Sequence, residues 1–157
     1  MRKLFVGIAA LAVFSLSPAV SQAQTTLGPT LAMHDDGDLA IGATLGAPLA
    51  SLGEGIGLMA DFLIFFPEVG SYFEINGNLT YDFPLENSTA VPFVLGGLNI
   101  GHFSIDGGGS STDLALNVGG GIAFDAGSFR PSVAGRFSLG DGSGFVVFAT
   151  LPFVLDN

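Results

Sequence analysis

Alternation of hydrophobic and polar residues in steps of two is the clearest pattern in this chain. Between residues 71 and 83, one face carries large apolar side chains, while the other carries Glu74, Asn76 and Asn78. This period is that of a β-strand, whose successive side chains point to opposite faces. Glycine recurs every few residues, and a helical period of 3.6 is missing. The pattern therefore predicts an all-β fold.

Turn-forming clusters divide this pattern into eight predicted strands. The connecting segments are rich in Gly, Asp, Asn, Ser and Pro, which favour turns. Because these segments are short, consecutive strands are expected to pair antiparallel. The predicted strands cover residues 26–34, 38–48, 55–66, 71–83, 91–105, 113–125, 129–139 and 144–155. Most reach the roughly 9–11 residues that a tilted strand needs to cross a bilayer. A meander of eight such strands closes most simply into an up-and-down barrel.

The start of the chain differs from the rest. Arg2 and Lys3 precede an apolar stretch, which is followed by a segment of small residues ending at Ala23. That order is typical of a secretory signal peptide, and the apolar stretch is too short to span a bilayer as a helix. We therefore expect residues 1–23 to be removed and residues 24–157 to form one exported domain.

Composition and charge indicate the surroundings of the barrel. The chain has 4 basic and 14 acidic residues, a formal net charge of −10 and no cysteine. Nucleic acid is an unsuitable partner, because phosphates need Lys and Arg, and disulfide or thiolate chemistry is excluded. Beyond residue 23, Arg130 and Arg136 are the remaining basic residues. A domain so poor in charge is expected to turn its apolar face to lipid and to fill a narrow lumen with small polar side chains.

A soluble barrel is the alternative that the pattern leaves open. Such an exported protein would hold its apolar face inward and bind a small apolar ligand. The predicted strands 55–66 and 144–155 are apolar on both faces, as the core of a soluble barrel would be.

Four charged residues are expected to meet in the lumen. Arg130 and Arg136 are an even number of residues apart, so both lie on the polar face of one predicted strand. A buried unpaired charge costs several kcal/mol, and an Arg facing lipid at the midplane costs about 2–4 kcal/mol. Asp61 and Glu74 are the best-placed partners, which gives a predicted lumen ion network of Asp61, Glu74, Arg130 and Arg136.

Phenylalanine is abundant, with 15 residues, and many lie near predicted strand ends. Transmembrane barrels carry girdles of aromatic side chains at both membrane interfaces. The predicted girdle comprises Phe66, Phe73, Phe83, Phe93, Phe103, Phe124, Phe129, Phe145 and Phe153.

Three segments resemble strands of the small outer-membrane barrel proteins of the OmpA/OmpX type. Pro92–Gly101 resembles their fifth strand, Asn117–Ile122 their sixth, and Pro131–Ser138 their seventh. The resemblance implies a monomeric outer-membrane protein, inserted by the barrel assembly machinery and in contact with outer-membrane lipid and lipopolysaccharide. It implies a structural or surface-interaction role without cofactor or catalysis. We expect side chains to plug the lumen, since open aqueous channels need about 16 strands.

Two short motifs carry the remaining candidate chemistry. His102 and Ser104 resemble the His-x-Ser portion of outer-membrane lipid A deacylases of the PagL type, but no Glu follows them. A deacylase is therefore a further alternative. Asp35, Asp36 and Asp38 offer oxygen atoms to a divalent cation, although their segment lacks the length and the closing Glu of an EF-hand loop. We expect neither a catalytic residue nor a bound metal.

Overall fold

The computed structural model describes residues 24–141 and 143–155, so the predicted signal peptide lies outside the described residues. Within them the chain consists of strands joined by turns. The strands are β1 (Thr26–His34), β2 (Leu39–Pro48), β3 (Ile56–Phe65), β4 (Ser71–Asp82), β5 (Ala90–Ser104), β6 (Ser110–Phe124), β7 (Ser132–Gly140), β8 (Gly144–Thr150) and β9 (Phe153–Val154). Across this described part of the chain, no helix is long and apolar enough to cross a membrane.

The strands close into a ring. From β1 to β8 each strand pairs antiparallel with the next, and β1 also pairs with β8 and β9 on its other side. Thr30 pairs with Thr150 and Leu27 with Phe153, so one register continues from β8 to β9. These two segments are one strand interrupted at Pro152, which has no N–H to donate. The predicted eight-stranded antiparallel up-and-down barrel is confirmed.

The barrel is apolar outside and polar over much of its inside. Leu79, Val118 and Val133 point outward and are 53%, 49% and 55% exposed. On the alternate positions of the same strands, Asn76 and Asn117 point inward and are buried. Water does not solvate such an apolar band, whereas lipid does. The exterior is that of a transmembrane barrel and not that of the soluble barrel considered as an alternative.

The barrel has two different ends. The tip end carries the turns at residues 35–38, 66–70 and 105–109, and the terminal end is where β1 begins and β9 ends. In the tip half of the lumen, β4 to β7 present mainly polar side chains, while β1, β2, β3 and β8 present apolar ones. The apolar ones are Ala32, Ala40, Leu63, Phe65, Val146 and Phe148. Strands β3 and β8 are therefore apolar on both faces because one face meets lipid and the other packs within an apolar side of the lumen.

Two strands begin three residues away from the predicted position. β6 begins at Ser110 rather than at residue 113, because Ser110 pairs with Ser104 and prolongs the hairpin with β5. β7 begins at Ser132 rather than at residue 129, because Pro131 has no N–H for the ladder. Phe129 forms only an isolated bridge.

We predict that Val118→Arg destabilises the folded barrel in a lipid bilayer by about 2–4 kcal/mol, because the outward side chain in the middle of β6 would meet hydrocarbon. Ser51→Arg, in an exposed turn, is the control and should change stability by less than about 0.5 kcal/mol. Urea titration in lipid vesicles, followed by the gel mobility of the folded band, measures both. Equal effects of the two substitutions would mean that the outer face meets water.

Candidate functional site

Arg136 is the central side chain of the lumen. It lies on β7 and is 0% exposed. Its Nη1 donates to Oδ1 and Oδ2 of Asp61 at 3.0 and 2.8 Å, and its Nη2 donates to Oε2 of Glu74 at 3.0 Å. Asp61 lies on β3, four strands away from β7 around the ring and so on the opposite wall. The guanidinium group therefore crosses the lumen, and we call Arg136 with its two carboxylates the crossbar.

Asparagine side chains extend the crossbar around the polar wall. Asn76 Nδ2 donates to Asp61 Oδ1 at 2.9 Å. Asn99 and Asn117 donate to Asn76 Oδ1 at 2.8 and 2.9 Å. Ser138 in turn donates to Asn117 Oδ1 at 2.9 Å. These bonds join β4, β5, β6 and β7, and they satisfy amide groups that would otherwise be buried without partners.

Three neighbours fix the position of the crossbar. Tyr72 donates its hydroxyl to Glu74 Oε1 at 2.9 Å. The guanidinium carbon of Arg136 lies 5.0 Å from the ring centroid of Phe148, within the range of a cation–π contact. Gly119 pairs with Arg136, and a Cβ at Gly119 would lie 2.7 Å from the Cα of Arg136. A residue without a side chain is needed opposite Arg136 for this close approach.

Arg130 belongs to a different cluster, at the terminal end. Its Nη2 donates to Asp82 Oδ2 at 2.6 Å, and its Nε lies 2.9 Å from Asp125 Oδ1. Burial by itself would lower the pKa of Arg130. The hydrogen bond from Arg130 to Asp82 and the negative charges of Asp82 and Asp125 raise this pKa by more, so the net shift is upward. The predicted contact of Arg130 with Asp61 or Glu74 is not formed, because Arg130 pairs with Asp82 and Asp125 instead. The four residues of the predicted lumen ion network therefore lie in two clusters. Arg130 precedes β7 and lies nearer the terminal end of the barrel than Arg136 does.

A cavity of about 540 Å³ occupies the terminal half of the lumen. We call it the chamber. It opens to the terminal end between the turns, and its wall reaches Ser132, four residues before Arg136 on β7. Its polar lining comes from Gln24, Thr26, Thr44, Thr80, Asp82, Asp125, Arg130 and Ser132.

Most of the predicted girdle residues point outward near one end of the barrel. Several pack against another aromatic ring: Phe129 lies 5.3 Å from Phe153, and Phe145 lies 4.5 Å from Phe137, between ring centroids. The outward-facing members are Phe66, Phe73 and Phe145 at the tip end and Phe83, Phe124, Phe129 and Phe153 at the terminal end.

Phe93 and Phe103 do not belong to a girdle, because both lie on the inward face. Phe93 is 5% exposed and lines the chamber. It lies two residues from Val91 and two from Leu95, which are both buried. Phe103 is ten residues further along the same face and pairs with the inward Tyr72. Nearness to a strand end does not decide the face, whereas the period of two does.

His102 and Ser104 lie on the outer face of β5. Nδ1 of His102 is 2.8 Å from Oγ1 of Thr112 on β6, and its ring centroid is 5.1 Å from that of Phe73. A hydroxyl therefore occupies the position behind His102 at which a catalytic triad has a carboxylate.

The acidic turn at residues 35–38 contacts the side chain of His34, which the sequence motif did not include. Nδ1 of His34 lies 2.7 Å from Asp35 Oδ1 and 3.2 Å from Asp36 Oδ1. One ring nitrogen of His34 and one carboxylate oxygen each of Asp35 and Asp36, all of them atoms that can bind a metal ion, lie within 4.8 Å of one another. Asp38 instead donates its backbone N–H to Asp36 Oδ1. The candidate cation ligands are therefore His34, Asp35 and Asp36, at the exposed tip.

We predict that Arg136→Ala lowers the free energy of unfolding by about 3–5 kcal/mol, because two buried carboxylates lose their cation. Arg136→Ala combined with Glu74→Ala should lose less, because one of those carboxylates is gone. Urea titration of the folded band measures the cycle, and strictly additive losses would show that the two groups do not interact. Arg130→Ala is the matched control; its side chain is 34% exposed, so the loss should be about 1 kcal/mol or less.

Comparison with known proteins places the fold. No model of a protein family matches the chain, and no curated protein sequence matches it. The solved structures that are similar to this chain include three barrels. The N-terminal β-barrel domain of Pseudomonas aeruginosa OprF has a TM-score of 0.71 at 15% identity, with 85% of this chain and 100% of that chain covered. Ail, the attachment invasion locus protein of Yersinia pestis, has a TM-score of 0.61 at 18% identity, covering 84% and 96%.

The third similar structure is the outer-membrane enzyme PagL, with a TM-score of 0.54 at 12% identity, covering 84% of this chain and 99% of that chain. Sequence identities this low show a shared fold. The resemblance that the strand segments indicated is confirmed at that level, and the chain has the fold of small outer-membrane β-barrels.

Proposed function

We propose that this protein resides in the outer membrane as a structural or surface-interacting barrel whose lumen does not act as a general diffusion pore. The crossbar is the observation that carries the proposal. Arg136 reaches from one wall of the lumen to the opposite wall and is hydrogen-bonded there to Asp61. A solute moving along the axis would have to break a buried ion pair, which is costly when one partner is left uncompensated.

The apolar side of the lumen, formed by inward residues of β1, β2, β3 and β8, supports the same proposal. Leu63, Val146 and Phe148 are at most 2% exposed and lie in the tip half, beside the polar wall. Water has no polar partner along these side chains, so a water-filled path is unfavourable there. Small barrels in general fill their interior with side chains, whereas aqueous channels belong to barrels of about 16 strands or more.

Short acidic turns support a surface role at the tip end. Asp35, Asp36, Glu68 and Asp106 are exposed there. We propose that the tip end faces outward and that the chain begins on the periplasmic side. Carboxylates on this surface would meet the anionic groups of lipopolysaccharide through divalent cations, which prefer oxygen ligands. Turns this short offer little area for a large protein partner. The barrel is proposed to be inserted by the assembly machinery and to act as a monomer.

The proposal includes no catalytic role. A deacylase of the PagL type would use His102 and Ser104 on the outer face, and its histidine would need a carboxylate for orientation and charge. Thr112 supplies a neutral hydroxyl instead. The contact of His102 with Thr112 favours an interfacial histidine within an aromatic surface over an activating base.

The full chain, expressed in a Gram-negative host, should fractionate with outer membranes and should migrate differently on a gel before and after boiling. In planar lipid bilayers the purified barrel should give no stable conductance, whereas a trimeric general porin in the same membrane should conduct. Recovery in the soluble periplasmic extract would contradict the membrane location. Regular channel openings by the unmodified barrel would contradict the closed lumen.

A further inference from the structure

Both arginines in the described part of the chain are held by two carboxylates each. Arg136 contacts Asp61 and Glu74 inside the barrel, and Arg130 contacts Asp82 and Asp125 at the terminal end. In formal charge, each cluster has one carboxylate more than it has guanidinium groups. One carboxylate without a guanidinium partner, in this formal count, therefore lies at each of two heights of the same lumen.

The chamber lies between these two clusters. Asp82, Asp125 and Arg130 form part of its rim, and its inner wall reaches Thr44, which pairs with Asp61 of the crossbar. Clefts lined by one sign of charge and enclosed by walls of low dielectric constant concentrate ions of the opposite sign. The excess carboxylate at the rim therefore favours cations in the chamber, and the crossbar at its inner end adds no net positive charge.

The lining of the chamber also suits an organic cation. The hydroxyl groups of Thr26, Thr44 and Thr80 offer oxygen acceptors, and the inward ring of Phe93 offers an aromatic surface. Aromatic rings attract ammonium and guanidinium groups when these are desolvated. A volume of about 540 Å³ lies in the range of small-molecule sites and exceeds what a single hydrated metal ion needs.

We propose that the chamber is a one-ended binding site for small organic cations of the ammonium class, entered from the terminal end and closed at its inner end by the crossbar. The proposal rests on the closed lumen proposed above and adds the chemistry of the ligand. The crossbar supplies the barrier to movement further along the axis, and the rim supplies the charge selection.

Because the chain has no cysteine, single substitutions report access to each position. Thr80→Cys places a thiol in the chamber wall, and Ser138→Cys places one two residues beyond Arg136 on β7. The probes are a trimethylammonium-ethyl and a sulfonato-ethyl methanethiosulfonate, which are similar in size and opposite in charge. Modification rates are measured by mass spectrometry on folded barrels in neutral detergent. Ser51→Cys, in an exposed turn at the terminal end, corrects for the intrinsic reactivity of each reagent.

We expect Thr80→Cys to react about tenfold faster with the cationic than with the anionic reagent, relative to Ser51→Cys. Tetramethylammonium chloride should slow its modification, while sodium chloride of equal ionic strength should slow it less. Asp125→Asn added to Thr80→Cys should bring the ratio of rates towards that of Ser51→Cys, because Arg130 then faces one carboxylate. Ser138→Cys should not react with either reagent. Ser132→Cys gives a second chamber position if Thr80→Cys fails to fold.

The outcomes separate this inference from the proposed function. Rapid modification of Ser138→Cys would show an open lumen and would overturn both. Equal relative rates with the two reagents at Thr80→Cys, or no protection by tetramethylammonium, would overturn the cation site and leave the closed lumen intact. Folded chamber variants that react with neither reagent would show that the chamber is not accessible and would also overturn the cation site.

Discussion

The requirement that governs this molecule is that backbone N–H and C=O groups inside a bilayer find partners within the chain. A single sheet meets it only by closing, which β1 does by pairing with β2 on one side and with the final strand on the other. Closure also fixes where the side chains go. Alternate residues face hydrocarbon, and those between them face the lumen. Polar side chains that are buried there away from water must bond to one another.

The crossbar is a consequence of this crowding. Arg136 is stable inside the barrel because two carboxylates and an aromatic ring surround its guanidinium group. Replacing such a cluster by apolar residues can be neutral for stability, whereas removing one partner is costly. Breaking the crossbar therefore costs more than the crossbar contributes in net stability. The asparagine bonds from β4 to β7 extend the same network around half of the wall.

The lumen is divided in two directions. Around the axis, the apolar side of the lumen, on β1, β2, β3 and β8, faces the polar side, on β4 to β7, in the tip half. Along the axis, packed side chains in the tip half give way to the chamber at the terminal end. The first division explains how strands that are apolar on both faces belong to a membrane barrel. The second leaves Arg130 at an accessible mouth while Arg136 is sealed, so two arginines six residues apart have different surroundings.

The amino-acid sequence alone predicts the strands, their antiparallel pairing and the inverted faces, because a period of two and short turns are local features. It also placed Arg136 with Asp61 and Glu74, since a buried cation needs carboxylates. The partners of Arg130, the bonds among the asparagines and the chamber were decided by tertiary structure alone. Those contacts join residues on strands far apart around the ring, and their meeting depends on the stagger between strands. Phe93 is a further example of this difference. Its alternation with Val91 and Leu95 can be read from the sequence, but only closure of the barrel makes that inward face the wall of a chamber.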